Sequence, residues 1–362
     1  MTVTTTPPDG VLPSCVRPCS SKMTQSASKT ARPRVYVIGT GGTISFVGNS
    51  RSDIIDYPET HNNLEIEAML ARIPEAAELA EIRAEQFTNV ASFELTPTHW
   101  LGLALRIGEI LRGDPHVAGV VVSHGTGTLE EAAYFLNLTV RSRIPIVITG
   151  AARPPSALDT DANGNLLDAI RVAADSASGG RGALVVLNKE IHAARDVTKV
   201  DTHRLGNFKS NDLGCLGYCD ADAQVVFYRT ASRIHTSDSE IDVASIRELP
   251  RVDVAHVYAG YDGIGLDAMA DAGAAGIIVA AIGAGRLPSA LLGCLQALRR
   301  RGLKLVVATQ TANGRIIANE MIRREGLLVA DNLSPRKARI LLMLALTATR
   351  SDDALQRMLQ TY

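Results

Sequence analysis

Two β-branched apolar runs each end in a glycine–threonine turn, and this recurrence constrains the fold more than any other feature of the chain. Val35-Tyr36-Val37-Ile38 leads into Gly39-Thr40-Gly41-Gly42-Thr43-Ile44, and Val120-Val121-Val122 leads into Ser123-His124-Gly125-Thr126-Gly127-Thr128. Apolar runs without polar alternation suit strands buried on both faces, as in parallel sheets, whose carboxyl ends are where open α/β folds place ligands. Glycine lets the backbone turn sharply and come close to a bound group with its N–H donors unhindered. A threonine in such a turn serves as nucleophile or as hydrogen-bond donor. Either turn alone is equally well explained by turn geometry, but two of them at strand ends point to one shared site.

The rest of the chain keeps the same alternation. Strands are expected at Val117–Ser123, Ile144–Ile148 and Ala183–Leu187, with helices at Asn63–Ala71, Thr98–Arg112, Leu129–Val140 and Gly164–Asp175 between them. Repetition of strand and helix predicts a largely parallel, doubly wound sheet. A polar stretch, 229–251, then reads as a linker. Beyond it the alternation restarts with strands at Val252–Tyr258, Gly276–Ala281 and Leu303–Ala308. Ser334-Pro335 is an N-cap and N1 pair opening a late helix, and Ser351-Asp352-Asp353 opens the last. The expectation is an α/β protein of two domains: a disordered tail over 1–33, a larger domain over 34–228, the linker 229–251, and a smaller domain over 252–362.

Charge argues against nucleic acid or a membrane surface as partner, because a formal net charge of -1 and the absence of like-charge blocks leave no field to attract either. No apolar run has the length of a membrane span, and the opening residues lack the apolar core of a secretory signal, so a cytoplasmic location is expected. Met23 is a second candidate start. The five cysteines include the pairs Cys15/Cys19 and Cys215/Cys219, whose C-x3-C spacing suits zinc poorly; unlinked thiols, no metal and no organic cofactor are expected.

Asp159-Thr160-Asp161-Ala162-Asn163-Gly164 imitates the start of a calcium loop, but its twelfth position is Ile170, which cannot supply the bidentate carboxylate. No glycine cluster matches a dinucleotide fingerprint or a phosphate loop with its lysine. His124 is the one histidine inside a candidate turn, where a structural role is the more common one.

The order and spacing of several further pieces complete a pattern: Ile148-Thr149-Gly150-Ala151-Ala152-Arg153-Pro154, Arg195-Asp196-Val197-Thr198-Lys199, Phe208-Lys209-Ser210 and Leu333-Ser334-Pro335-Arg336-Lys337-Ala338-Arg339. With the two glycine–threonine turns they resemble the bacterial asparaginase/glutaminase family from about residue 34 to the end. The resemblance implies a larger amino-terminal and a smaller carboxy-terminal α/β domain. It also implies a homotetramer built as a dimer of close dimers, with sites at the intimate dimer interface, and an acyl-enzyme hydrolysis of a side-chain carboxamide. It makes Thr43 the nucleophile, Tyr57 the tyrosine of a flexible lid, and Thr126 the second threonine. Ser92 matches the holder of the substrate's α-carboxylate, Gly42 and Gly125 the donors near the carboxylate and oxyanion, and Glu320 an acid reaching a neighbouring site.

Four positions depart from the family pattern as aligned. Gly127 stands where an aspartate follows the second threonine, Ser176 where a lysine is expected, Phe93 where a glutamine follows the serine, and Arg286 where an asparagine is expected. Losing lysine and aspartate together would remove a charged network without stranding one buried charge. On this reading the preferred substrate is L-asparagine or, better, a related amide, lactam or imide lacking a free α-amino group. A non-catalytic ligand-binding homologue, favoured by a missing base, and a lyase or isomerase on the same site are the alternatives.

Overall fold

The structure, a computed structural model, describes residues 1–2 and 32–362. The expected tail and the Cys15/Cys19 pair fall largely or wholly outside the described residues. Among the described residues fourteen strands follow one another: β1 (Arg34–Gly39), β2 (Glu81–Gln86), β3 (Val117–Ser123), β4 (Ile146–Thr149), β5 (Ala183–Leu187), β6 (Glu190–Ala193), β7 (Thr198–Lys199), β8 (Phe208–Lys209), β9 (Gly217–Cys219), β10 (Val225–Phe227), β11 (Val252–His256), β12 (Gly276–Ala281), β13 (Lys304–Thr309) and β14 (Leu328–Val329). The helices are α1 (Ile66–Leu70), α2 (Ala76–Leu79), α3 (Pro97–Gly113), α4 (Leu129–Thr139), α5 (Ala162–Ala174), α6 (Ile264–Asp271), α7 (Leu292–Arg300), α8 (Glu320–Arg324), α9 (Pro335–Ala345) and α10 (Asp352–Thr361).

The large sheet has the order β10-β9-β6-β5-β4-β3-β1-β2. From β1 to β5 it is parallel, as the apolar runs predict, because crossover helices cover both faces; β2, a polar and largely exposed edge strand that was not expected, pairs parallel with β1. At β5 the chain instead turns back through Asn188 and Lys189, both at positive φ, and β6, β9 and β10 continue the sheet antiparallel. The sheet is thus largely parallel, as expected, with three antiparallel strands at one side that the sequence reading did not include, since a two-residue turn can join only antiparallel neighbours. The small sheet, β11-β12-β13-β14, is parallel throughout. Two domains of unequal size result.

Helix α4 reads from sequence as amphipathic, yet every residue in it except Glu131 is buried. It lies between the large sheet and α9, so neither face meets solvent. Helix α9 begins as expected, with the Ser334 hydroxyl accepting the Lys337 N–H and Pro335 in its first turn. One apolar core runs from Val120, Ile148 and Phe135 across to Ile278, Leu341 and Leu359, joining the two domains through α4, α9 and α10. The 229–251 segment is fastened along this junction: Ser239 donates to the Leu138 carbonyl at 2.6 Å, and Ile241 is buried. No helix of the described residues is long and apolar enough to cross a membrane.

Candidate active site

Strands β1 and β3 run side by side with Gly39 opposite Ser123, so the two glycine–threonine turns leave neighbouring strands at the same level. Thr40 ties them together: both its N–H and its hydroxyl donate to the Ser123 carbonyl, at 3.1 and 2.8 Å. The turns then touch backbone to backbone. A Cβ on Gly42, whose φ is +89°, would lie 2.1 Å from the Gly125 Cα, so only glycine allows this approach.

Thr43 follows, half-buried, with its hydroxyl 2.7 Å from the Tyr57 hydroxyl. Tyr57 opens a short 3-10 turn, Tyr57–Thr60, that is anchored by the Thr60 hydroxyl on the Val47 carbonyl and by Phe46, whose ring lies 6.4 Å from that of Tyr57. Burial raises the Tyr57 pKa above 10, so the phenol is neutral near pH 7 and acts as a hydrogen-bonding group.

Ser92 is buried against the same turns, with its hydroxyl oxygen 2.9 Å from the positions that Cβ atoms at Gly125 and Gly127 would occupy. The Thr128 hydroxyl holds the Ser92 carbonyl at 2.8 Å. Gly42, Thr43, Tyr57, Ser92, Gly125, Thr126 and Gly127 are therefore brought together. Phe93 sits next to Ser92 but leaves its side chain 73% exposed. His124 is fully buried, its Nδ1 2.8 Å from the Gly125 carbonyl, and burial depresses its pKa to about 4. It is neutral, with Nδ1–H donating to the turn, which is the structural role expected of it.

The expected loss of the lysine is overturned. Lys199, at the end of β7, directs its Nζ onto the Thr126 hydroxyl at 2.8 Å. Ser176 is exposed and begins a 3-10 turn beyond the far end of α5. Helix α5 starts beside the turn after β4 and runs back along the sheet. Its continuation reaches the Arg143 carbonyl that precedes β4, at the edge opposite the threonines. Ser176 is thus withdrawn from the site, and with it the argument that lysine and aspartate were lost together. Only the carboxylate is missing, at Gly127. No lysine lies between Lys29 and Lys189 in the sequence, so the amine had to come from beyond β5. The Arg195–Lys199 motif carried that signal.

Lys199 is half-buried, and its pKa is lowered first by burial, with Arg336 adding to the effect and Glu130 and Asp201 opposing it. Arg286 and Glu320 are exposed, in the smaller domain, and no hydrogen bond links either to the threonine turns of this chain. The imitation calcium loop has a different use: the Asp161 carboxylate accepts the Ala152 and Arg153 N–H groups and the Asn165 side chain, bracing the turn after β4. Among the described residues, no cluster of three or more His, Cys, Asp or Glu side chains is arranged for a metal, and Cys215, Cys219 and Cys294 are unpaired.

Comparison with known proteins gives concordant matches. Residues 34–233 match the family model described as asparaginase, N-terminal, and residues 251–359 that of the glutaminase/asparaginase C-terminal domain. L-asparaginase 2 of Bacillus subtilis is 37% identical over 93% of this chain and 88% of its own length. Glutaminase-asparaginase of Pseudomonas fluorescens is 35% identical, with 95% of each chain covered. The crystal structure of a probable cytoplasmic L-asparaginase from Campylobacter jejuni superposes with a TM-score of 0.87 at 34% identity, over 91% of this chain and 100% of that one. The chain belongs to the asparaginase/glutaminase family. It is an amidohydrolase acting on carbon–nitrogen bonds other than peptide bonds.

Proposed function

We propose that the protein hydrolyses a small carboxamide through an ester formed on Thr43. The observation that carries this reading is the pairing of two strand-end threonines with two different partners, Thr43 with Tyr57 at 2.7 Å and Thr126 with Lys199 at 2.8 Å. In the first half-reaction the Thr43 oxygen attacks the amide carbon, and backbone N–H groups of the abutting turns stabilise the oxyanion. The C–N bond breaks, and nitrogen leaves as ammonia with the proton that Thr43 gives up. In the second half-reaction Thr126 and the Lys199 amine activate a water, which cleaves the ester and returns a proton to Thr43. Burial lowers the Lys199 pKa, which favours the neutral, basic amine. Tyr57, on its loop, shields the ester from bulk water.

Ser92 holds the substrate's carboxylate. The α-ammonium of free asparagine finds neither a carboxylate at Gly127 nor an amide at Phe93. A charged group buried without acceptors is disfavoured by about 2 kcal/mol or more. We therefore assign the preference to amides whose α-nitrogen is absent or acylated. Arg286 and Glu320, exposed in the smaller domain, are offered to a neighbouring copy in a cytoplasmic homotetramer; light scattering that gave a monomer would exclude this.

The test is ammonia release from L-asparagine, L-glutamine, N-acetyl-asparagine and succinamate. Hydrolysis of the last two at higher kcat/KM than the first two is expected. A hundredfold preference for free asparagine would overturn the specificity. Undiminished turnover in Thr43→Val would overturn the nucleophile.

A further inference from the structure

Among the described residues Lys199 is the one amine bonded to the threonine pair, and β7, which carries it, is only two residues long. Such a strand has little stiffness of its own. It pairs with β8, Thr198 opposite Lys209 and Lys199 opposite Phe208, and is otherwise held by groups from two helices. Among the described residues Lys199 makes no ion pair within 4.0 Å. Its own backbone N–H instead donates to the Glu130 carboxylate at 3.1 Å. Glu130 lies in the first turn of α4, with a side chain only 3% exposed, and its other oxygen accepts from Arg336 of α9 at 3.0 Å.

The residue after Arg336 grips the same segment from behind. Lys337, fully buried, donates from Nζ to the Arg195 and Val197 carbonyls, the latter by a very short bond. Arg195 in turn donates to the Tyr362 carbonyl at 2.9 Å and to Asn332 at 2.8 Å. The smaller domain therefore fastens the Arg195–Lys199 segment at several points. One of them ends on a carboxylate that touches the Lys199 backbone.

We infer that the Arg336–Glu130 ion pair, joining the two domains, positions Lys199 on Thr126 and supplies the negative charge that Gly127 lacks. Glu130 and Arg336 are positioning residues, since neither touches the threonines. The inference rests on the assignment of Lys199 under the proposed function. A buried carboxylate bonded to one arginine and one backbone N–H keeps a fixed orientation, because losing either donor would leave it short of a partner. Its charge lies beside the Lys199 backbone and favours the ammonium. The charged groups facing Lys199 are Glu130 from α4, Arg336 from α9 and Asp201 from its own loop. Lys209, on the paired strand, is neutralised by Glu190 at 2.9 Å.

Glu130→Gln and Arg336→Met in the full-length protein test this. The ammonium of Lys199 is followed by NMR of lysine-labelled protein, its signal assigned with Lys199→Arg, alongside the pH profile of kcat/KM. Removing the negative charge should lower the Lys199 titration midpoint and removing the positive charge should raise it, each by roughly one unit. Arg336→Met should also lower kcat by roughly tenfold or more at little-changed KM, as misplacement of a reacting group does. Arg336 has a side chain 57% exposed, so its replacement opens no core cavity. Should Glu130→Gln or Arg336→Met unfold, Arg336→Lys, which keeps a donor and a positive charge for Glu130, is expected to restore the wild-type midpoint and kcat. An unmoved midpoint in Arg336→Met, or midpoints that move in the same direction in both variants, overturns the inference. Midpoints that separate as expected while the pH profile stays put would uphold the positioning and refute the part given to Lys199 in the reaction.

Discussion

Lys199 and Thr126 are 73 residues apart in the chain and 2.8 Å apart in space, the amine donating to the hydroxyl. A hydroxyl is a weak nucleophile or water activator by itself, and an adjacent amine with a lowered pKa is the usual remedy. Lys199→Met keeps the length of the side chain and removes the nitrogen. Turnover should fall by about a hundredfold or more, the scale of one general base. Steady-state kinetics on a folded variant, checked by circular dichroism, decides it.

Thr43→Val and Tyr57→Phe separate the nucleophile from its partner. The valine is nearly isosteric and should abolish turnover. The phenylalanine removes only the 2.7 Å contact and should leave an enzyme slowed by roughly ten- to a hundredfold. Equal losses in the two variants would mean that Tyr57 does more than orient Thr43.

Gly127→Asp introduces the missing carboxylate. A Cβ there meets only the Ser92 hydroxyl, at 2.9 Å, the end of a short side chain that can rotate. Because Lys199 is already in place, the single change suffices and no lysine at Ser176 is needed. It should raise kcat/KM for free L-asparagine relative to N-acetyl-asparagine by about tenfold or more, the scale of one charged contact. An unchanged ratio would remove Gly127 from the specificity argument.

His124 gives a stability signature in acid. Its folded pKa is depressed to about 4, against 6.5 unperturbed, so below pH 6.5 the unfolded chain takes up a proton that the folded one refuses. Stability should therefore fall as pH drops from 6.5 to 4, this group contributing up to about 3 kcal/mol, with no further loss from it below pH 4. His124→Asn retains a donor for the Gly125 carbonyl and cannot titrate. Urea melts at pH 7, 5.5 and 4 should show a shallower decline in the variant.

The sequence by itself determined the strands that lead into the two glycine–threonine turns, the helix starts at Ser334 and Ser351, and the meeting of those two turns; the place of Ser92 came from the family resemblance. Those features are local or repeated: a buried parallel strand is an unbroken apolar run, and a cap is a short motif. The burial of α4 on both sides was not legible, because it depends on α9, some 200 positions later. The antiparallel half of the large sheet was missed for a related reason: β6, β9 and β10 are only three or four residues long, and their direction follows from the tight turn at Asn188-Lys189. Above all, the partner of Thr126 could not be found by counting along α5, since the helix that begins beside the threonines ends at the opposite edge of the sheet. Tertiary structure alone put Lys199 there, because a two-residue strand has no periodicity of its own and takes its place from Glu130, Lys337 and the packing of the second domain against the first.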